Sequence, residues 1–164
     1  MPDKLAFSVS ATTRKARPDE IHGKDYFFLS AEEFQLHIQQ NNFIEWEMVY
    51  EGKYYGTLKS EIQRIWSEGK SPLLDIDVKG AIHIRQQYPE NSLSLFIEPP
   101  SVQVLKERLQ SRGTESAESL DARVNKAAYE ITFKDQFDFV VVNDELPRAC
   151  REAMEKVTQF LGYP

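Results

Sequence analysis

The chain has 164 residues, 41% hydrophobic and 28% charged, a balance suited to one globular domain with a real core. Its formal net charge of −6 argues against broad nucleic-acid or membrane binding, and no apolar run approaches the roughly 18 residues of a membrane span. The single cysteine, Cys150, excludes an internal disulfide and fits a reducing cytoplasm, where a small buried hydrophobe on a helix is expected.

Taken in chain order, "KLAFSVS" (residues 4–10) predicts a strand with Leu5, Phe7 and Val9 on one face. A loop carrying Arg14, Lys15 and Arg17 follows, kept extended by Pro18. "DYFFLS" predicts a short strand, and Ser30 with Glu33 forms a capping box for a helix over about 31–41. "FIEWEMVYEGKYYGT" alternates around Gly52 and predicts a hairpin. Leu58, Ile62, Ile65 and Trp66 mark one face of the next helix, stopped by Gly69. "PLLDID" and "SLSLFI" predict apolar strands, and Pro99-Pro100-Ser101 starts a helix bearing Val102, Leu105 and Leu109. Leu120, Val124, Ala127 and Ile131 define another helix. "FDFVVVN" predicts a strand buried on both faces, and Leu146, Ala153, Val157 and Phe160 belong to a closing helix. Buried strands alternating with helices imply an α/β fold with a parallel sheet, interrupted by a β-rich insertion at about 14–57. Ligands of such folds sit at the carboxyl ends of strands.

Several polar residues fall at those ends. Arg14 and Arg17, with Ser10 and the neighbouring threonines, suit a small anion such as a phosphate, or else form a solvated basic loop. Tyr26 alone reads as half-buried packing more often than as a ligand. Glu45 in "FIEW" is either an exposed strand-edge acid or an acceptor for two adjacent N–H donors, as guanine presents at N1–H and its exocyclic amine. Thr57 can donate to a base carbonyl, cap the helix beginning at Leu58, or both. Asp75 and Asp77 read as a turn and helix cap, or as a site for Mg²⁺ through water or for a nucleotide amine. Arg108, Arg112 and Arg123 are surface helix arginines, or belong to a flap hinged near Gly113 that neutralises charge on a transferring phosphoryl group. His22, His37 and His83 have no metal-ligand spacing, so no protein metal cage is expected.

Read together, "FSVSATTRKARPDE", "GKDYFFLSAEEF", "FIEWEMVYEGKYYGT", "LLDIDVKGA", "IEPPS", "LKERLQSRGTES" and "VVVND" closely resemble the guanylate kinase family, in family order across nearly the whole chain. The resemblance implies a three-layer parallel sheet with flanking helices, of P-loop kinase type. It also implies an inserted mixed β subdomain for GMP and a helical lid at about 108–123, all in a single domain. By the same resemblance Ser10, Arg14, Arg17, Tyr26 and Tyr55 hold the GMP phosphate, and Glu45 and Thr57 read guanine with Asp75 or Asp77 nearby. Arg108, Arg112 and Arg123 then close over the phosphates of ATP, and Asn143 lies near the adenine. The implied reaction is transfer of the ATP γ-phosphoryl group to GMP, with Mg²⁺ accompanying ATP. Ala16 stands where the family usually has proline.

Family members also carry a strand, a G-x-x-x-x-G-K-[ST] loop and a helix ahead of "FSVS". In this sequence the one "GKS", Gly69 to Ser71, has Arg64 at the first glycine's place and precedes a strand. The resemblance therefore implies an N-terminally truncated member, expected to bind GMP but impaired toward ATP. The alternative is a catalytically silent GMP-binding or protein-interaction module of the same type.

Overall fold

The computed structural model describes residues 3–111 and 117–162. The chain divides into two compact units, Met1–Gln87 and Tyr88–Pro164.

In the first unit, β1 (Leu5–Phe7) pairs in parallel with β6 (Ser71–Leu73). The expected strand over 4–10 is shorter, because after Ser8 the chain passes to a different sheet. That sheet has four strands in the order β3-β2-β5-β4, namely Phe27–Phe28, Ala11–Thr12, Lys53–Leu58 and Phe43–Tyr50. β2 runs parallel to β3 and antiparallel to β5, and β4 with β5 forms the expected hairpin.

Helix α1 (Ala31–Gln39) begins at the expected capping box. Ser30 Oγ accepts from the Glu33 N–H at 3.1 Å, and Glu33 Oε2 accepts from the Ser30 N–H at 2.7 Å. The helix ends with Asn41 at φ 55, and the Asn42 and Asn41 N–H groups return to the carbonyls of His37 and Ile38. Its Phe34 stacks on Phe43 at 4.4 Å, inside a cluster with Ala11 and Leu58. Burying such an aromatic contributes on the order of 2–3 kcal/mol, so this cluster fixes α1 on the sheet.

Gly56 lies where β5 passes closest to β4. A Cβ there would fall 2.8 Å from the Glu45 carbonyl oxygen and 2.8 Å from Trp46 Cβ, both held by the ladder. Gly56→Ala is therefore expected to destabilise the chain by about 1–3 kcal/mol, read as a lower urea midpoint at unchanged slope.

Helix α2 (Lys59–Ser67) departs from expectation at two places. Its N-cap is Leu58, without a side-chain cap, so Thr57 does not cap it; the Thr57 hydroxyl is engaged elsewhere in the sheet. The buried stripe is Leu58, Glu61, Ile62 and Ile65, at helical spacings of i, i+3, i+4 and i+7, and Trp66 lies beyond its edge at 59% exposure. Glu61 tolerates burial because its Oε1 accepts from Arg64 Nε at 3.1 Å and also from Arg64 Nη2. Gly69 ends the helix as expected, at φ +69, with the Gly69 and Lys70 N–H groups bonded to the Trp66 and Ile65 carbonyls. Helix α3 (Val78–Gln87) follows β6 and packs against β4.

In the second unit, β7 (Leu95–Glu98) pairs in parallel with β8 (Phe139–Val142). Of β8 only Val141 is fully buried, whereas Phe139 and Val142 are exposed, against the expectation of burial on both faces. Helix α4 (Val102–Ser111) starts where Ser101 Oγ accepts from the Val104 N–H, and packs against α5 (Ala117–Ile131). Helix α6 (Leu146–Phe160) buries Ala149 but exposes Leu146 and Phe160. Cys150, expected to be buried, sits on its exposed side. No helix among the described residues is long and apolar enough to cross a membrane.

Candidate functional site

The four-stranded sheet gathers one set of expected site residues. β2 leads into the arginine loop, Tyr26 immediately precedes β3, Tyr55 and Thr57 lie on β5, and Glu45 lies on β4. Their order across the sheet separates an arginine–tyrosine end from a glutamate–threonine end.

At the second end a β-bulge does the positioning. Phe43 pairs with Leu58, but the next pair is Glu45 with Thr57, so Ile44 is the extra residue. Regular pairing would set Ile44 opposite Thr57 and Glu45 opposite Gly56. With the bulge, Glu45 and Thr57 share a face and the Thr57 hydroxyl donates to Glu45 Oε1 at 2.7 Å. Glu45 is only 6% exposed. Burial pushes its carboxyl up to about 7; the bonds from Thr57 oppose this, and the nearby charges of Glu47 and Asp77 add to it. The site thus holds a desolvated carboxylate that a ligand with two N–H donors can stabilise.

At the other end, Arg14 meets a residue the motif reading assigned no role. Its Nη1 and Nη2 both donate to Glu20, at 2.6 Å each, and Nη1 also donates to the Lys15 carbonyl at 3.0 Å. The guanidinium lies 4.8 Å from the Tyr26 ring centre and 5.5 Å from that of Phe28. Bidentate pairing with Arg14, followed by the Arg17 backbone N–H, holds the Glu20 carboxyl down at about 2. Burial pushes the Tyr26 phenol up, against the pull of Arg14, and Tyr26 meets Tyr55 edge-on at 6.2 Å. Arg17 reaches Glu20 only at 3.8 Å and is 59% exposed at its side chain, available to an anion from solvent. Ser10 is half-buried, and its carbonyl accepts from the Phe27 N–H beside β2. The sequence signal for Glu20 is an acid six residues after Arg14, beside Asp19, at the end of the basic loop.

Asp75 and Asp77 follow β6. Asp75 is exposed, whereas Asp77 Oδ1 accepts from the Lys79 N–H at 3.0 Å at the start of α3. In the second unit, Arg108 donates from Nη1 to the Asn143 carbonyl at 2.8 Å and from Nη2 to the Asp144 carbonyl at 3.2 Å. Asn143 closes β8 with its N–H on the Glu98 carbonyl at 2.8 Å. Arg123 lies half-buried on α5, and Arg112 and Gly113 lie outside the described residues.

Comparison with known proteins agrees with the resemblance carried by the motifs. The family model described as guanylate kinase matches residues 1–160. The chain belongs to the guanylate kinase family. It is 46% identical to a guanylate kinase of Bacteroides thetaiotaomicron, across 96% of this chain and 78% of that protein. Identity to a guanylate kinase of Salinibacter ruber is 48%, across 99% and 85%. The crystal structure of guanylate kinase from Anaplasma phagocytophilum matches with a TM-score of 0.79 at 33% identity, covering 96% of this chain and 77% of that one. Within this guanylate kinase fold, Glu45 and Arg14 stand at opposite ends of one small sheet, and the residues that hold them, Thr57 and Glu20, come from the same sheet and its loop.

Proposed function

We propose that this chain is a guanylate kinase that binds GMP across the four-stranded sheet and accepts the γ-phosphoryl group of ATP onto the GMP phosphate, giving GDP and ADP. The observation that carries this reading is the buried Glu45 carboxylate, fixed by Thr57 at 2.7 Å, because it suits the two adjacent N–H donors of guanine. Arg17, Arg14, Ser10, Tyr26 and Tyr55 form the phosphate end, and Thr57 serves the base end by holding Glu45 with its hydroxyl. Asp75 and Asp77 complete the base end as a neighbouring acidic pair.

Phosphoryl transfer of this kind needs positioning and charge cancellation more than covalent chemistry. Mg²⁺ enters as the MgATP substrate complex. Arg108, Arg112 and Arg123 supply positive charge on the donor side, and Asn143, at the end of β8, lies toward the adenine. Arg108 also holds the Asn143 and Asp144 carbonyls, which ties that arginine to the loop it would serve.

Calorimetry with GMP and AMP, together with a coupled assay of ADP formation from MgATP, tests the proposal. GMP is expected to bind and AMP to bind at least tenfold more weakly, since adenine lacks the N1–H and the 2-amino group that Glu45 would accept. GMP-dependent ADP formation supports the kinase reading. GMP binding without ADP formation supports a GMP-binding module instead, and a folded chain that binds no GMP overturns both.

A further inference from the structure

Gly80 occupies the first turn of α3, where it is buried and has no left-handed backbone to accommodate. Alanine is the better residue for such a helix position on propensity alone. The reason for glycine is space. A Cβ on Gly80 would lie 2.4 Å from Glu45 Oε2, 3.2 Å from its Cδ and 3.6 Å from its Cγ, and these are the three nearest atoms it would meet. α3 packs against β4, so the bare Gly80 Cα is the wall on which the second carboxylate oxygen rests. Thr57 holds the first oxygen at 2.7 Å from the β5 side. The carboxylate is therefore held between a hydroxyl and a piece of helix backbone that has no side chain.

From this arrangement we infer that Gly80 is a specificity-determining positioning residue, setting Glu45 Oε2 where it accepts from the 2-amino group of the purine. The inference rests on the reading of Glu45 given above and goes further, assigning discrimination between guanine and hypoxanthine to a residue that touches no ligand. An added methyl must displace Oε2 by about 1 Å to restore ordinary contact. Hydrogen bonds to oxygen span only about 2.7–3.2 Å, so a displacement of that size removes one of the two bonds to the base. The bond lost is the one inosine monophosphate cannot make, because it lacks the 2-amino group.

The test is the ratio of GMP to inosine monophosphate affinity, measured by calorimetry on the intact chain and on variants. The parent chain is expected to prefer GMP by about tenfold or more, the value of one charge-assisted hydrogen bond. Gly80→Ala is expected to reduce that ratio at least fivefold, mainly through weaker GMP binding. In a Glu45→Gln background it is expected to change the ratio no further. Equal weakening of both nucleotides by Gly80→Ala, with the ratio kept, makes Gly80 merely structural and overturns the inference while leaving Glu45's role intact. Unchanged affinity for both nucleotides in Glu45→Gln alone overturns the reading of Glu45 and the inference with it. If Gly80→Ala does not fold, the double variant Gly80→Ala/Glu45→Asp decides. Its shorter carboxylate clears the methyl, so recovery of folding supports the contact and continued failure overturns it.

Discussion

Glu45→Gln is expected to weaken GMP binding about a hundredfold or more, and to leave the ligand-free chain more stable at pH 8 than the parent. The two effects share one cause. A buried carboxylate that accepts from two guanine N–H groups loses at least one charge-assisted bond on becoming an amide, whose own NH2 then faces a donor. That loss is worth roughly 3 kcal/mol. Without ligand the same carboxylate is a burden, since burial raises its carboxyl from 4.5 to about 7. A raised folded-state value means that the protonated form is the one the fold favours. Glu45's contribution to stability is complete below about pH 4.5 and is lost as pH rises through 7. At pH 8 the ionised, desolvated group therefore costs on the order of 1–3 kcal/mol, which glutamine removes. Urea denaturation at pH 8 checks this half of the prediction, and a variant less stable than the parent contradicts it.

Binding has the opposite slope with pH. Guanine's donors need the ionised carboxylate, so GMP affinity should rise about tenfold from pH 6 to pH 8 through this group. The GMP phosphate has its own ionisation near pH 6, and Glu47 and Asp77 add like charge around Glu45. Glu45→Gln separates these contributions, since the variant keeps only the phosphate part of the slope. Identical slopes in variant and parent would rule out Glu45 as the group that titrates on binding.

Arg14→Ala is the second large effect, an expected loss of about 10- to 150-fold in GMP affinity, the range for one charge-assisted contact with phosphate. Guanosine, which lacks the phosphate, should bind parent and variant alike. Equal losses for GMP and guanosine would move Arg14 from the phosphate end to a general structural role. Arg14→Lys is expected to recover little, because an ammonium cannot keep a two-pronged grip on Glu20 while presenting a second edge to an anion. Glu20 itself stays ionised down to about pH 2, so the Arg14–Glu20 pair persists across pH 6–8 and does not contribute to the slope assigned to Glu45. The parent's affinity should also fall with added salt more steeply than that of Arg14→Ala, as one fewer cation meets the phosphate.

Much of the first unit is legible residue by residue. The Ser30–Glu33 box, the Gly69 stop and the hairpin around Gly52 each depend on neighbours a few positions away, and each appears where local chemistry places it. The second-unit helices from Val102 and Ala117 follow from their apolar spacing in the same way. Trp66 and Cys150 show the limit of such reading. Spacing identifies an apolar stripe, but where the stripe ends depends on what packs over it, and both residues fall outside the covered face.

The sequence by itself determined the family, the α/β alternation, and the pairing of an arginine–hydroxyl loop with a lone carboxylate in "FIEW", because these are carried by residue types and short spacings. Only the tertiary structure decided how those residues are held. One extra residue at Ile44 shifts the ladder so that Glu45 meets Thr57, Glu20 takes one edge of Arg14, and the bare Cα of Gly80 closes on Glu45 Oε2. The physical reason is that register and close packing are settled by partners distant in the chain. A slip of one position turns a side chain to the other face, and a single methyl group decides whether a buried carboxylate keeps its place.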